Sequence, residues 1–236
     1  MAKQEEQFDV VRYIRGSNAI EGIYDEKEVQ QSLHAWEYLM AIGEEFTHAD
    51  ICRVQKIITL NQTNLQPNQR GYYRNVSGTN VSVGGRLAPD ASMVEHLMQN
   101  WLLDWPKMTP LIGHIRFELI HPFVDGNGRT GRMIYWFTCL LAGKVPKYYG
   151  IDRDPELSED QNRQWYYRLF DQKKVIELSN NNWGIDFKAN YGVRVKGTDG
   201  RMYSGDFVSK PTIEEIKKTL PKGVGIQGEP MIKEYK

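Results

Sequence analysis

The sequence is short of several things that would fix its class at once. It has no surplus charge: 30 Lys and Arg balance 30 Asp and Glu, so no long-range field draws it to nucleic acid or to an anionic membrane. It has only two cysteines, Cys52 and Cys139, both within helix-like apolar patterns. That excludes a disulfide framework and fits reduced, buried thiols in a cytosolic protein. It has no long apolar run, since Met133–Ala142 is about half of the ~20 residues a membrane span requires. The opening Met-Ala-Lys-Gln-Glu-Glu lacks the apolar core of a secretory signal. No internal repeat and no low-complexity stretch stands out. What these absences leave is a soluble, cytoplasmic chain of 236 residues, enough for one sizeable domain with appendages or for two small ones.

What is present is aromatic and helical. Six Trp and thirteen Tyr supply ample apolar mass for a core. Val10, Val11, Ile14 and Ile20 recur at helical spacing, with Gly22 as a stop. Asp25 reads as the N-cap of a second helix, with Glu28 at the N3 position of a capping box. That helix carries Val29, Leu33, Trp36 and Met40 on one stripe and ends at Gly43. Thr47 caps a third, whose inner side is Ile51, Val54 and Ile58. Amphipathic helices joined by short loops make a bundle.

Between Asn64 and Asp90 the texture changes. Glycines, Pro67 and Pro89 surround the alternation Val81-Ser82-Val83, which predicts loop plus a small hairpin. Helical spacing returns with Val94, Leu97 and Trp101 until Pro106 and Pro110 break it, and Leu111–Leu119 leads into His121. Ser158 and Gln161 form a further capping box, opening a helix with Trp165, Leu169 and Ile176. From about Asn180 the texture shifts again. Val193–Val195 and Arg201–Tyr203 flank Thr198-Asp199-Gly200, a hairpin signal. Pro211 and Thr212 then open a short helix through Ile213, Ile216 and Leu220, and a tail with Gly and Pro follows.

The stretch that carries chemistry is His121–Arg132, His-Pro-Phe-Val-Asp-Gly-Asn-Gly-Arg-Thr-Gly-Arg. Pro122 disfavours the α conformation at His121, which places the imidazole at a helix end facing a loop. Glycines that free backbone N–H groups at a helix start, with arginines on its first turns, make a site for a polyanion. Arg129 and Arg132 share a side. Beside an apolar helix, two arginines need an anionic partner. Gly131 falls where the helix should already be running, at a cost of about 1 kcal/mol against Ala, which points to close backbone approach. His121 and Asp125 add a base and a metal ligand.

At every specified position this stretch resembles the Fic family motif, His-Pro-Phe-x-Asp/Glu-Gly-Asn-Gly-Arg-x-x-Arg. Gly71-Tyr72-Tyr73-Arg74, Val81-Ser82-Val83-Gly84-Gly85 and Ala88-Pro89-Asp90 are similar to the segment that forms the family's β-hairpin flap. Trp165-Tyr166-Tyr167 resembles the aromatic pair of its last core helix. The resemblance covers about Asp25 to Leu178. It implies a mainly α fold, a Fic-type helical bundle with a β-hairpin flap, to which this chain adds a small C-terminal appendage with a hairpin and a short helix. The implied division is 1–24 for an N-terminal inhibitory helix, 25–179 for the catalytic core and 180–236 for the appendage.

The resemblance also implies the activity. Fic enzymes characteristically transfer AMP from ATP to a Ser, Thr or Tyr hydroxyl of a target protein and release pyrophosphate. His121 would be the general base, with an ordinary pKa near 6.5. Asp125 would bind Mg²⁺, and the backbone around Gly126, Asn127 and Gly128 would cradle the phosphates. The Asn127 side chain would help hold the α-phosphate, Arg129 would contact the β-phosphate and Arg132 the γ-phosphate. The flap at Val81, Ser82 and Val83 would receive the target as an added strand. Ser17-Asn18-Ala19-Ile20-Glu21-Gly22 matches the family's inhibitory signature, in which Glu21 pairs with Arg132 where the γ-phosphate belongs. Self-modification and a homodimer are compatible with the resemblance.

Other readings compete. A γ-phosphate transferase of the Doc type is disfavoured by the intact Gly126-Asn127-Gly128. Transfer of another nucleotide or of phosphocholine, and removal of AMP with Glu21 positioning a water, use the same site. A nucleotide-binding regulatory module without turnover would have no need of His121.

Overall fold

A computed structural model describes residues 8–83, 86–170, 191–200, 202–207, 211–220 and 223–234. Helix α1, Val10–Ile20, starts at Asp9, whose carboxylate accepts the N–H groups of Val11 and Arg12. It ends at Glu21, followed by Gly22 at φ 73°. Helix α2, Glu26–Ile42, is capped by Asp25 and closed by Gly43 at φ 76°. The expected capping box is not what holds its start. Asp25 accepts from the Lys27 N–H, while the Glu28 carboxylate reaches Arg129 at 3.2 Å. A buried guanidinium is a stronger claimant on a carboxylate than an exposed N–H group. Helix α3, His48–Ile58, has a capping box between Thr47 and Asp50.

After the short α4, Arg74–Ser77, the flap hairpin pairs β1, Ser82–Val83, with β2, Arg86–Leu87. Gly84 and Gly85 lie outside the described residues. Helices α5, Val94–Asp104, α6, Pro110–Ile120, α7, Asn127–Leu141, and α8, Glu159–Tyr167, complete the bundle. Pro110 occupies the first turn of α6, where its missing N–H is no loss, so it starts a helix and does not end one, α5 having already stopped at Asp104. Past Tyr167 the chain tightens into a 3₁₀ turn, Arg168–Phe170, which takes Leu169 out of the expected α-helix. Ile176 lies outside the described residues.

The core is built on α7. Met133, Ile134, Trp136, Phe137 and Cys139 are all buried, packed among Tyr13 and Ile14 of α1, Leu39 of α2, Ile58 of α3 and Phe117 of α6. Tyr13 meets Trp136 edge to face at 5.5 Å. The N-terminal helix thus shares one core with α2–α7. Both cysteines are free; Cys139 is buried and Cys52 half-buried. Among the described residues no helix is long and apolar enough to cross a membrane.

The C-terminal segment forms the expected hairpin, β3, Tyr191–Gly197, with β4, Met202–Phe207. The expected short helix, α9, Ile213–Thr219, is capped by Thr212. A third strand, β5, Ile226–Glu234, lies where the sequence suggested only a tail. Gly228 and Pro230 mask it. Both fall where the register against β3 shifts between Arg194 and Lys196, and such irregularities are where Gly and Pro are tolerated in strands. Val193, Val195, Ile216 and Leu220 make a small separate core. The segment nevertheless joins the flap: the sheet runs β1-β2-β4-β3-β5, with Arg86 opposite Ser204 in a parallel pairing. Asn80 at the flap base also donates to the Lys218 carbonyl at 2.6 Å.

Candidate active site

His121 ends α6 in the left-handed conformation at φ 50°, a positive φ for a residue that is not glycine. Such a conformation costs about 1 kcal/mol or more, and Arg74 offsets it. The Arg74 side chain is fully buried. Its Nε donates to the His121 carbonyl at 2.8 Å, and its Nη2 to the carbonyls of Pro89 and, at 3.3 Å, Ile120. The Arg74 backbone N–H donates to the Pro122 carbonyl at 2.8 Å. One guanidinium thereby ties both ends of the flap segment to the turn that presents the imidazole. Sequence reasoning placed Arg74 only in the flap resemblance; its role shows in the fold.

The imidazole is largely but not wholly buried, its side chain 16% exposed. Burial, with the Arg74 charge behind it, pushes the His121 pKa down to about 4. That lies below the ordinary imidazole value and favours the neutral ring at physiological pH. Its Nδ1 lies 3.3 Å from the Glu118 carbonyl. With Nδ1–H donating there, the Nε2 lone pair is the one available for a proton.

The loop after His121 is held from inside. Asn127 accepts the Phe123 N–H through Oδ1 at 2.8 Å and donates to the Phe123 carbonyl through Nδ2 at 2.9 Å. The first business of this amide is therefore to close the loop, and only its second Nδ2 hydrogen is left for an anion. Gly126 caps α7 at φ 79°, and a Cβ there would run 2.7 Å from Thr59. Gln55, fully buried on α3, donates to the Asp125 carbonyl at 3.0 Å and accepts the Gly71 N–H at 2.6 Å. It too went unnoticed in the sequence, where it is one polar residue on an amphipathic helix.

Asp125 is half-buried, and its Oδ1 accepts the Gly126 N–H at 2.6 Å. Among the described residues no group of three or more His, Cys, Asp or Glu assembles for a metal. One carboxylate is still a sufficient protein share for a Mg²⁺ ion whose other ligands are waters and phosphate oxygens.

The two arginines lie buried on the first turns of α7. Arg129 Nη1 meets Glu28 at 3.2 Å and the Ile58 carbonyl at 3.4 Å. Arg132 donates from Nε to Ser17 Oγ at 2.8 Å, and from Nη2 to the Ser17 carbonyl at 3.1 Å and to Glu21 Oε1 at 2.6 Å. Tyr166 stacks on it, its ring 5.0 Å from Cζ. Burial opposes the Arg132 charge, but Tyr166, Glu21 and Glu118 more than compensate, and its pKa is raised. Among the described residues, Arg129 Nε and Nη2 and Arg132 Nη1 find no acceptor. Gly128 has no room for a side chain because the Glu21 carboxylate and the Arg132 guanidinium occupy that space.

The structure thus gathers Ser17, Glu21, His121, Asp125 and the 126–132 turn around one helix start, below a flap that begins at Val81. The Fic/DOC family model matches residues 45–139. Over those residues the chain is similar to Fic/DOC proteins. The protein adenylyltransferase Fic of Aedes aegypti is 27% identical over 169 residues, covering 68% of this chain and 30% of that protein. Its counterpart in Culex quinquefasciatus is 31% identical over 112 residues, covering 44% of this chain and 20% of that protein. The chain therefore spans about a third or less of the curated relatives it matches. A Fic domain containing signaling protein from Bacteroides thetaiotaomicron shares the fold, with a TM-score of 0.51 at 17% identity over 68% of this chain and 70% of that one. The match ends at Cys139, so the Fic domain model leaves α1 and the C-terminal strands outside it.

Proposed function

We propose that this chain is a protein adenylyltransferase, held off by its own N-terminal helix. The observation that carries the reading is the pair of buried arginines at the start of α7, of which Arg129 Nε and Nη2 and Arg132 Nη1 lack acceptors among the described residues. Buried donors of that kind call for an anion with several oxygens. ATP, a polyphosphate, meets the need, and the Aedes aegypti and Culex quinquefasciatus relatives are named protein adenylyltransferases.

In this mechanism, the α7 N-terminus and Arg132 bind phosphate oxygens. Asp125 would hold Mg²⁺, which supplies charge neutralisation between the phosphates. His121 accepts the proton of the target's hydroxyl through Nε2 as that oxygen attacks the α-phosphorus, and pyrophosphate leaves. A neutral imidazole held off the helix axis is ready for this without first losing a proton. The free edge of β1 offers the backbone groups on which a target segment docks as a strand; β4 occupies the other side of the hairpin.

Glu21 opposes the reaction. Its carboxylate lies on Arg132, over Gly128, where a terminal phosphate would bind. A nucleotide admitted beside it is displaced from in-line geometry, and small displacements suppress transfer by orders of magnitude. Residues 1–24 are accordingly the inhibitory segment of this reading, 25–179 the catalytic core and 180–236 a flap-associated appendage.

The test uses the Glu21→Gly variant with α-labelled and γ-labelled ATP in separate incubations. Label from the α position should enter protein, with loss of incorporation on adding His121→Ala. Incorporation from the γ position instead would make the chain a phosphotransferase and overturn the proposal.

A further inference from the structure

The mechanism leaves one buried carboxyl group without a task. Glu118 lies on α6, one turn before His121, with its side chain only 8% exposed. Its Oε2 stands 3.9 Å from His121 Nδ1, and its Oε1 has no hydrogen-bond partner among the described residues. Gly131 explains how it fits. A Cβ at that position would collide with Glu118 Oε1 and crowd Phe117. The glycine within α7 therefore keeps open the space that this carboxyl fills.

From these contacts we infer that Glu118 is a positioning residue for His121, its carboxyl backing the Nδ1 side of the ring so that Nε2 faces the acceptor hydroxyl. The inference rests on the adenylyltransferase reading for its consequence, though not for its geometry. Nδ1 then has one acceptor in the Glu118 carbonyl at 3.3 Å, with the carboxyl of the same residue 3.9 Å away behind it. A ring held on that side cannot turn its protonated nitrogen toward the substrate.

The groups facing Glu118 come from several elements: His114 and His121 on its own helix, Arg132 on α7, Glu21 at the end of α1, and Tyr166 and Tyr167 on α8. Burial dominates, pushing the carboxyl up to about 8 against the pull of Arg132 and with the push of Glu21. At neutral pH it is predominantly uncharged. An uncharged carboxyl can stand beside a phosphate site without repelling it, whereas the paired carboxylate of Glu21 competes for that site.

The experiment has two readouts. The first is the ¹⁵N spectrum of histidine-labelled protein, with His121 assigned from the His121→Ala spectrum. Glu118→Ala in the otherwise unchanged chain should move the His121 ring nitrogens toward a mixture of tautomers. The second is transfer from α-labelled ATP in the Glu21→Gly background. Glu118→Ala should lower kcat about 10- to 100-fold with KM for ATP within about three-fold, and Glu118→Gln should recover most of it. Gly131→Ala, which displaces the carboxyl without removing it, should repeat the Glu118→Ala effect on the spectrum. Unchanged ring signals in both variants would overturn the inference, as would an undiminished kcat. If Glu21→Gly transfers no label at all, the adenylyltransferase reading fails, and the ¹⁵N spectra alone decide whether Glu118 sets the ring.

Discussion

A methyl group on Gly128 would collide with the Glu21 carboxylate, which Arg132 holds at 2.6 Å. The second residue of α7 and one at the end of α1 are thus fitted to each other across the N-terminal end of the helix. Gly128→Ala should destabilise the parent by about 1–3 kcal/mol, the usual cost of overpacking. In the Glu21→Gly background the same change should cost at least ~1 kcal/mol less, because the colliding group is gone. Denaturant unfolding of the four proteins measures this coupling. Strict additivity would contradict the fit.

Glu21 also carries a structural burden that its place at a helix end conceals. From the sequence, Glu21→Gly looks like a change worth about 1 kcal/mol. The structure makes its carboxylate the counter-charge of Arg132, whose side chain is 1% exposed, although Glu21 itself is 36% exposed. Breaking such a pair should cost about 2–4 kcal/mol, less than for a fully buried one because water reaches the glutamate. An anion that takes its place restores stability by linkage. Scanning fluorimetry should therefore find a larger rise in Tm on adding Mg-ATP to Glu21→Gly than to the parent. Equal rises would show that the carboxylate and the nucleotide do not compete.

Arg74 should behave as an organiser of the catalytic turn. Arg74→Lys keeps the charge but loses the planar fork that serves several carbonyls at once. The expected cost is about 1–3 kcal/mol for carbonyl groups left short of a donor. Because the same fork holds His121 in its left-handed conformation, transfer in the Glu21→Gly background should fall at least ~10-fold. Full activity in a stably folded Arg74→Lys protein would remove Arg74 from the account.

The low His121 pKa has a defined consequence for pH. In the unfolded chain the imidazole takes up its proton near pH 6.5, whereas in the fold it does so only near 4. Between those values the unfolded state binds the extra proton, so stability falls as pH is lowered from 6.5 toward 4. Above 6.5 this contribution is fully present. The difference in unfolding free energy between pH 7 and pH 5 should shrink in His121→Ala, read from denaturant titrations at both values. In the same way, kcat should show no acid limb near pH 6.5. A limb there would mean that the imidazole is solvated and not held dry.

Much of this was readable in the sequence, and what was not has physical causes. The helix starts at Asp25, Thr47 and Ser158 are local events, set by a side chain and an N–H group within a few residues. The 121–132 stretch concentrates its chemistry in consecutive residues, so a candidate phosphate site could be proposed without the fold. Glu28 was misread because its partner, Arg129, is distant in sequence. Gln55 and Arg74 were passed over for the same reason: their work is to receive and donate hydrogen bonds across three segments that only the fold brings together. Strand β5 escaped because the irregularity that accommodates Gly228 and Pro230 breaks the alternation by which a strand is recognised. The parallel contact of β4 with the flap is likewise set by tertiary packing, and it gives the C-terminal segment a place beside β2.

The central claim is that one carboxylate, Glu21, keeps a complete catalytic site idle. The most direct measurement compares initial rates of protein labelling from α-labelled ATP for the parent, Glu21→Gln and Glu21→Gly at equal concentration. The account expects Glu21→Gly to label itself at least ~10-fold faster than the parent, since in-line geometry governs the rate. Glu21→Gln, which keeps the bulk but loses the charge, should fall between them. Equal rates in all three proteins would contradict it.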